Sequence, residues 1–148
     1  MKKISILILM ASLAIACGGN KNAAVTDYGA VLTEMTEKIK SINAELKAAK
    51  DAKAAAKGIE NFAAFISEMK GKKDVLDKKY PEFAKEMPAE LKGKNEELDK
   101  AGKELAQSGI MEVMKKYATA PEMQEAMKKL QASAASMASS APSDPKAK

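Results

Sequence analysis

Apolar residues recur in steps of four and three along residues 27–49, which is the spacing of one face of an α-helix. Charged and other polar residues occupy most positions between them, so we expect an amphipathic helix that buries a single stripe. Thr26 or Asp27 is the expected N-cap, because a short polar side chain there can accept hydrogen bonds from free N–H groups of the first turn. The stripe comprises Tyr28, Leu32, Met35, Ile39, Ile42, Leu46 and Ala49.

A second apolar stripe begins after Asp51, where the phase of the first is lost. We therefore expect a turn near Lys50 and Asp51; without it, the two segments would form one long helical rod. Gly71 is expected to loosen the second helix. Pro81 is expected to end it, because proline disfavours helical geometry in the residue before it. The stripe comprises Ala52, Ala55, Ile59, Phe62, Ile66 and Met69, and resumes at Val75, Leu76 and Tyr80.

Further helices are expected after residues 81–88, which contain two prolines and have room for two helical turns at most. Pro88 suits the first turn of the third helix. Gly102 and Gly109 lie inside that helix, where a glycine costs about 1 kcal/mol relative to alanine. They therefore indicate a bend or the close approach of another helix. The third stripe comprises Leu91, Leu98, Leu105, Val113, Met114 and Tyr117, and the last helix opens at Pro121 and carries Met123, Met127, Leu130 and Ala134.

These stripes predict an all-α fold, a small antiparallel bundle of three or four helices over residues 27–131. A coiled-coil oligomer built on the first helix is the alternative. Residues 132–148 are mostly small and polar and include prolines, so we expect them to form a disordered, low-complexity tail.

The start of the chain follows a different pattern. Two lysines precede an almost unbroken apolar run from Ile4 to Ile15, which leads through the small Ala16 to Cys17, the only cysteine. This order of charged, apolar and small residues is typical of a secretory signal peptide, here residues 1–16. The apolar run is shorter than the roughly 20 residues that span a bilayer. We expect cleavage between Ala16 and Cys17.

Cys17 and the residues before it resemble the lipobox of bacterial lipoproteins. The large aliphatic residue is Leu13, one position further from the cysteine than in the strict pattern, where Ala14 stands. The relaxed lipoboxes of spirochaetal lipoproteins are similar in this respect. The resemblance implies that the Cys17 thiol is diacylated, by chains such as palmitate, and becomes the mature N-terminus. The alternative is an ordinary signal peptide cut elsewhere, which would leave Cys17 as a free thiol.

The same resemblance bears on location. Two acyl chains hold a protein stably on a bilayer, whereas one does not. Many Gram-negative lipoproteins kept at the inner membrane have Asp after the cysteine, and here that residue is Gly18. The resemblance therefore implies a lipid-anchored protein of the cell envelope, at the outer membrane. Residues 17–26 are expected to form the lipidated N-terminus and a polar leash.

Composition argues against several classes of function. The formal net charge of +5 falls to +3 without residues 1–16, and all 25 basic residues are lysines. Nucleic-acid recognition usually relies on Arg and on aromatic platforms, and the chain contains no Arg and no Trp. With no His, catalysis through a histidine base or a Ser–His or Cys–His pair is excluded. We expect no enzyme activity, no cofactor and no nucleic-acid partner.

Methionine is the one unusual enrichment, with ten residues in the chain. Soft thioethers select Cu(I), so a Met-rich segment could bind that ion. Methionine is also an adaptable filler of helical cores, and we expect this second role here. Burial of the sulfurs would favour packing, whereas convergence on an open pocket would favour Cu(I). Four methionines lie close together in the sequence: Met111, Met114, Met123 and Met127.

Acidic residues such as Glu96, Glu97, Asp99 and Glu104 alternate with lysines along the third helix. Paired carboxylates can form a glycosidase site. Acids at these spacings are more often a solvated helix face with i,i+4 ion pairs. We therefore assign them to the surface.

The terminal Lys148 suggests one further alternative. The chain is similar to the murein lipoproteins of Gram-negative bacteria in its acylation signal, its Ala/Lys-rich heptads and its final lysine. That resemblance implies linkage of Lys148 to peptidoglycan. The chain departs from them in its prolines, its expected hairpins and a tail without the aromatic or Arg residue that precedes their lysine.

Together these features predict a non-enzymatic, membrane-anchored envelope lipoprotein that presents a helical bundle for structural or protein-interaction roles. Its partners would be the bilayer, through acylated Cys17, and another protein or the cell wall. The alternatives are a ligand- or Cu(I)-binding envelope lipoprotein and a murein-lipoprotein-like tether.

Overall fold

The computed structural model describes residues 21–84 and 88–138, and within these ranges every regular element is helical. The all-α bundle expected from the apolar stripes is confirmed. The elements are α1 (Lys21–Ala48), α2 (Ala52–Lys79), a 3-10 helix (Pro81–Ala84), a 3-10 turn (Ala89–Leu91), α3 (Lys92–Glu104), a π-helical segment (Leu105–Ile110), α4 (Met111–Tyr117) and α5 (Pro121–Ala138).

Helix α1 buries the expected stripe from Tyr28 to Leu46, whereas Ala49 follows the helix and is partly buried, and α1 begins earlier than predicted. Its first residue is Lys21, so the leash expected over residues 17–26 is wrong from Lys21 onward. Ala24 is 0% exposed, and this burial stabilises an early turn that has little sequence signature of its own. Thr26 is not an N-cap, because its hydroxyl donates to the carbonyl oxygen of Asn22 inside the helix, at 2.8 Å.

The predicted turn between the first two helices is confirmed. Helix α1 ends at Ala48, and Asp51 caps α2 by accepting a hydrogen bond from the backbone N–H of Ala54 at 2.8 Å. The long-rod alternative is therefore wrong. Helix α2 runs unbroken through the exposed Gly71 and ends at Lys79, just before Pro81 as expected.

One residue of the predicted second stripe is misplaced. Val75 is 65% exposed, whereas its neighbour Leu76 is buried. Consecutive residues lie about 100° apart around a helix, and here Leu76 lies on the inward side whereas Val75 faces solvent. Asp77, the residue after Leu76, is also buried, so the inward face of α2 comprises both positions here.

The third predicted helix is continuous from Lys92 to Tyr117, with a wider turn in its middle. The residues at both junctions of the π-helical segment have right-handed helical backbone angles, and the Met111 N–H bonds to the carbonyl of Ala106, five residues back. The Ser108 hydroxyl donates a hydrogen bond to the carbonyl oxygen of Glu104 at 2.8 Å. Such wide turns are rare and depend on their surroundings, and no sequence pattern predicts this one.

The four helices form an up-down-up-down arrangement. Helix α1 packs between α2 and the helix formed by α3 and the π-helical segment, and α2 packs closely along α5. Pairs such as Glu45–Asn61 show that α1 and α2 are antiparallel. The non-consecutive neighbours are parallel, as the pairs Lys94–Thr33 and Lys47–Glu104 show for α3 and α1. Because its own chain covers the stripe of α1, that stripe is not free for the coiled-coil alternative.

Helix α5 extends further than the sequence suggests. It continues to Ala138, so the disordered tail expected over residues 132–148 is wrong for residues 132–138. This segment is rich in alanine, the best helix former, and the Ser67 hydroxyl reaches Ser133 at 3.4 Å. Residues 139–148 lie outside the described part of the chain.

Candidate functional site

The predicted cleavage and lipidation residues, Ala16 and Cys17, lie outside the described residues, as does Lys148. The described part of the chain begins at Lys21, shortly after the cysteine. Only residues 18–20 separate Cys17 from this first residue of α1. The start of α1 and the groups that hold it are therefore the part of the fold most directly tied to the candidate anchor.

Two tyrosine–aspartate pairs join the start of α1 to the end of α2. In the first, the Tyr28 hydroxyl donates to Asp77 Oδ1 at 3.2 Å. Lys73 donates to the other carboxylate oxygen of Asp77, whose side chain is only 8% exposed. Burial, together with the negative charge of Asp77, raises the pKa of Tyr28 far above its ordinary value. Tyr28 is therefore a neutral hydrogen-bond donor throughout the physiological pH range.

The second pair lies at the solvent edge of the first. Tyr80 donates to Asp27 Oδ2 at 2.7 Å, and Lys79 binds the same oxygen at 2.7 Å. The hydrogen bond from Lys79, followed by that from Tyr80, holds the pKa of the Asp27 carboxyl below its usual range. The rings of Tyr28 and Tyr80 lie 6.1 Å apart, and Phe83 packs edge-on against Tyr80 at 6.5 Å.

We call these six polar residues, Asp27, Tyr28, Lys73, Asp77, Lys79 and Tyr80, the anchor-end cluster. Each carboxylate in it is met by a lysine and a tyrosine hydroxyl. The negative charge of each carboxylate is therefore compensated by its neighbours. The arrangement suits a structural clamp.

A polar cleft of about 180 Å³ lies between α1 and α3. The carboxylate oxygen Glu104 Oε1 accepts hydrogen bonds from Asn43 Nδ2 at 3.2 Å and from Lys47 Nζ at 3.0 Å. Lys47 is the main cause of the lowered pKa of Glu104. The residues that line the cleft are Lys40, Asn43, Ala44, Lys47, Ala101 and Glu104.

The amide oxygen of Asn43 is buried and has no hydrogen-bond partner within the described residues. It faces Gly109 of the π-helical segment, where an added Cβ would lie only 2.6 Å from it. The close helix approach expected from Gly109 is thus confirmed. Because the oxygen is sealed by the helix contact and is not open to the cleft, we assign Asn43 to the packing of α1 against the π-helical segment.

The four candidate methionines occupy different environments. Met123 is 0% exposed and belongs to the core, whereas Met111 is 49% exposed. Met114 and Met127 are partly buried against the same core. None of the four lines the polar cleft. Burial of Met123 favours the packing role, and no group of three or more His, Cys, Asp or Glu side chains suited to a metal occurs within residues 21–84 and 88–138.

The acidic residues of α3 do not converge on one point. Asp99 pairs with Lys103, one turn later, and Glu104 turns toward α1. Glu96 and Glu97 are exposed. This distribution is that of a solvated helix face with one interhelical contact.

Sequence reasoning missed the anchor-end cluster and the role of Asn43. A usable signal was present for Tyr28, since a tyrosine in a buried stripe needs a partner for its hydroxyl. For Asp77 the i,i+4 spacing from Lys73 is typical of a helical ion pair and does not by itself indicate burial. For Asn43 no sequence pattern indicated a contact with Glu104, which lies 61 positions away.

Comparison with known proteins gives no match: no family model fits the chain, and no curated protein or solved structure is significantly similar to it. Among the helices of the described part, none combines the length and apolar character needed to cross a membrane. The functional assignment therefore depends on the residues themselves.

Proposed function

We propose that this protein is a bacterial envelope lipoprotein, anchored at the outer membrane through acylated Cys17, that presents a helical bundle to a protein or cell-wall partner without catalysing a reaction. The observation that carries the proposal is the signal-peptide pattern that ends in small residues directly before the only cysteine.

The described residues support a presenting role in two ways. The buried ionisable group Asp77 is satisfied by Tyr28 and Lys73, as expected for a group that stabilises the fold. The exposed helix faces carry closely mixed lysines and acids, which suits a soluble body held close to a membrane. In this proposal the acyl chains on Cys17 supply the stable anchoring.

Metabolic labelling tests the anchor. Cells that express the full chain are fed a clickable palmitate analogue, and the native protein is compared with Cys17→Ser and with Asn20→Ser as a matched control outside the lipobox. We expect labelling of the native protein and of the Asn20 variant, and loss of labelling in Cys17→Ser. Equal labelling of the Cys17 variant would overturn the proposal.

The presenting role is tested by chemical crosslinking on intact cells, followed by purification of the acylated protein. We expect one reproducible protein or peptidoglycan adduct in cells expressing native protein. Its loss in cells expressing Cys17→Ser at equal abundance would show that the contact requires anchorage. The absence of any adduct from the native protein would contradict the presenting role.

A further inference from the structure

We infer that the bundle has a defined orientation relative to the bilayer. The start of α1 lies against lipid headgroups, and the α1–α2 turn lies away from the bilayer. The inference rests on the proposed acylation of Cys17. It goes further by identifying which end of the bundle contacts the membrane and which end a partner can reach.

The chain that joins Cys17 to the helical bundle is short. Four peptide steps join Cys17 to Lys21, where α1 begins. A fully extended chain covers at most about 3.6 Å per residue, so the two residues lie within about 14 Å of each other however residues 18–20 are arranged. A leash that reached to residue 26 would have allowed more than twice this distance.

Unwinding the first turns of α1 would lengthen the tether, but it is energetically unfavourable. Ala24 is fully buried and Tyr28 nearly so. Lys21 forms an ion pair with Glu90 at 2.9 Å, which ties the first turn to the segment before α3. Unwinding as far as Tyr28 would also leave the buried carboxylate of Asp77 without one of its two partners, and this is unfavourable.

The directions of the other helices determine which turns lie near the start of α1 and which lie at the opposite end of the bundle. Lys79 and Tyr80, at the end of α2, meet Asp27 near the start of α1. Helix α1 contains 28 residues, which corresponds to a length of about 42 Å. The turn at residues 49–51 is thus about 42 Å from the tethered end. Because α3 runs parallel to α1, the α4–α5 turn at residues 118–120 lies toward the same far end.

The chemistry of the tethered end is compatible with a headgroup layer. Two exposed lysines at this end, Lys21 and Lys79, are paired with Glu90 and Asp27, whereas the exposed Lys78 and Lys92 form no ion pair within the described residues. The end therefore keeps unpaired ammonium groups, which are attracted to anionic headgroups. Lysine side chains of this kind suit the boundary between water and acyl chains.

Energy transfer to the bilayer tests this orientation. Acylated full-length protein is reconstituted into phosphatidylcholine–phosphatidylglycerol vesicles that contain an acceptor-labelled headgroup lipid. Donors are placed on single new cysteines, which are uniquely reactive because the Cys17 sulfur is acylated. The replaced lysines are exposed and form no ion pair within the described residues. The tethered-end sites are Lys78→Cys and Lys92→Cys, and the matched far-end sites are Lys50→Cys and Lys116→Cys.

We expect transfer from the two tethered-end sites to exceed that from the far-end sites at least about twofold, given a helix length of about 42 Å. A flexible Gly/Ser insertion between Asn20 and Lys21 should reduce the difference. Equal transfer from all four sites, or stronger transfer from the far end, would overturn the orientation.

The same samples separate this inference from the proposed function. If the labelled native protein floats with the vesicles and Cys17→Ser does not, acylation is supported. This holds whether or not energy transfer differs between the tethered-end and far-end sites. If native protein fails to float, the proposed anchor itself is wrong. Circular dichroism of the four cysteine variants checks that each retains the helical fold.

Discussion

The Tyr28 hydroxyl and the Asp77 carboxylate meet at 3.2 Å across 49 positions of the chain. The contact joins the early part of α1 to the last turn of α2. Lys73 donates a hydrogen bond to the other carboxylate oxygen of Asp77. A carboxylate that is 8% exposed is tolerated only when such partners satisfy it. The pair therefore fixes the end of the bundle at which α1 begins and α2 ends.

Tyr28→Phe tests the strength of this contact. The substitution keeps the ring and removes the donor, so Asp77 retains only Lys73. We expect a loss of about 1.5–3 kcal/mol in the free energy of unfolding, the range for a hydrogen bond to a charged group. Urea denaturation followed by circular dichroism measures it. Tyr117→Phe is the matched control, because the Tyr117 hydroxyl forms no hydrogen bond within the described residues. Equal losses in both variants would contradict the assigned role.

Gly109→Ala tests the close contact between α1 and the π-helical segment. The added Cβ would lie 2.6 Å from Asn43 Oδ1 and 3.1 Å from Leu105 Cδ1. We expect destabilisation of about 1–3 kcal/mol, as for other overpacked sites. Gly93→Ala, in the exposed first turn of α3, has nothing within 4 Å of its added Cβ and should stabilise the protein slightly. Thermal unfolding of both variants makes the comparison, and a stable Gly109 variant would contradict the packing described.

Asp27→Asn tests the acid dependence of the anchor-end cluster. The folded pKa of Asp27 lies below its ordinary value of 3.8, because Lys79 and Tyr80 bond to the carboxylate. The stabilisation is thus fully present above pH 3.8 and is lost as the pH falls through the lower, folded-state pKa. Native protein should be more stable than Asp27→Asn at pH 7, and the gap should close under strong acid. Urea midpoints measured from pH 7 to pH 2 test this. A gap independent of pH would exclude an ionic role for Asp27.

Met123→Ala separates the packing role of the methionines from a metal site. Met123 is fully buried, so its truncation should cost about 2–5 kcal/mol. Met111→Ala, at a half-exposed position, should cost far less. Calorimetric titration of native protein with Cu(I) under reducing conditions should give no binding tighter than millimolar. Tight binding that either substitution abolishes would establish the copper alternative.

The regular parts of the fold could be predicted because their signals are local. The stripe from Tyr28 to Ala49 follows helical spacing, and Asp51 both breaks the phase and caps the next helix. These two features defined α1, the turn and the start of α2. Pro81 likewise marked the end of α2.

The remaining features depend on contacts between distant residues. The early start of α1 depends on burial of Ala24 and on the Lys21–Glu90 pair, which a window of neighbouring residues cannot reveal. The choice of Leu76 over Val75 as the inward residue depends on where α1 lies. The wide turn at residues 105–110 accompanies the contact of Gly109 with Asn43. Each of these three features could be identified only from the packed bundle.

The central claim is that acyl chains on Cys17 hold this bundle at the membrane, and the intact mass of the native protein tests it most directly. Protein extracted from membranes with detergent should have the mass of the chain beginning at Cys17 plus at least two acyl chains, with the added mass confined to the N-terminal peptide. A chain that retains residues 1–16, or one that begins elsewhere with an unmodified Cys17, would contradict the account.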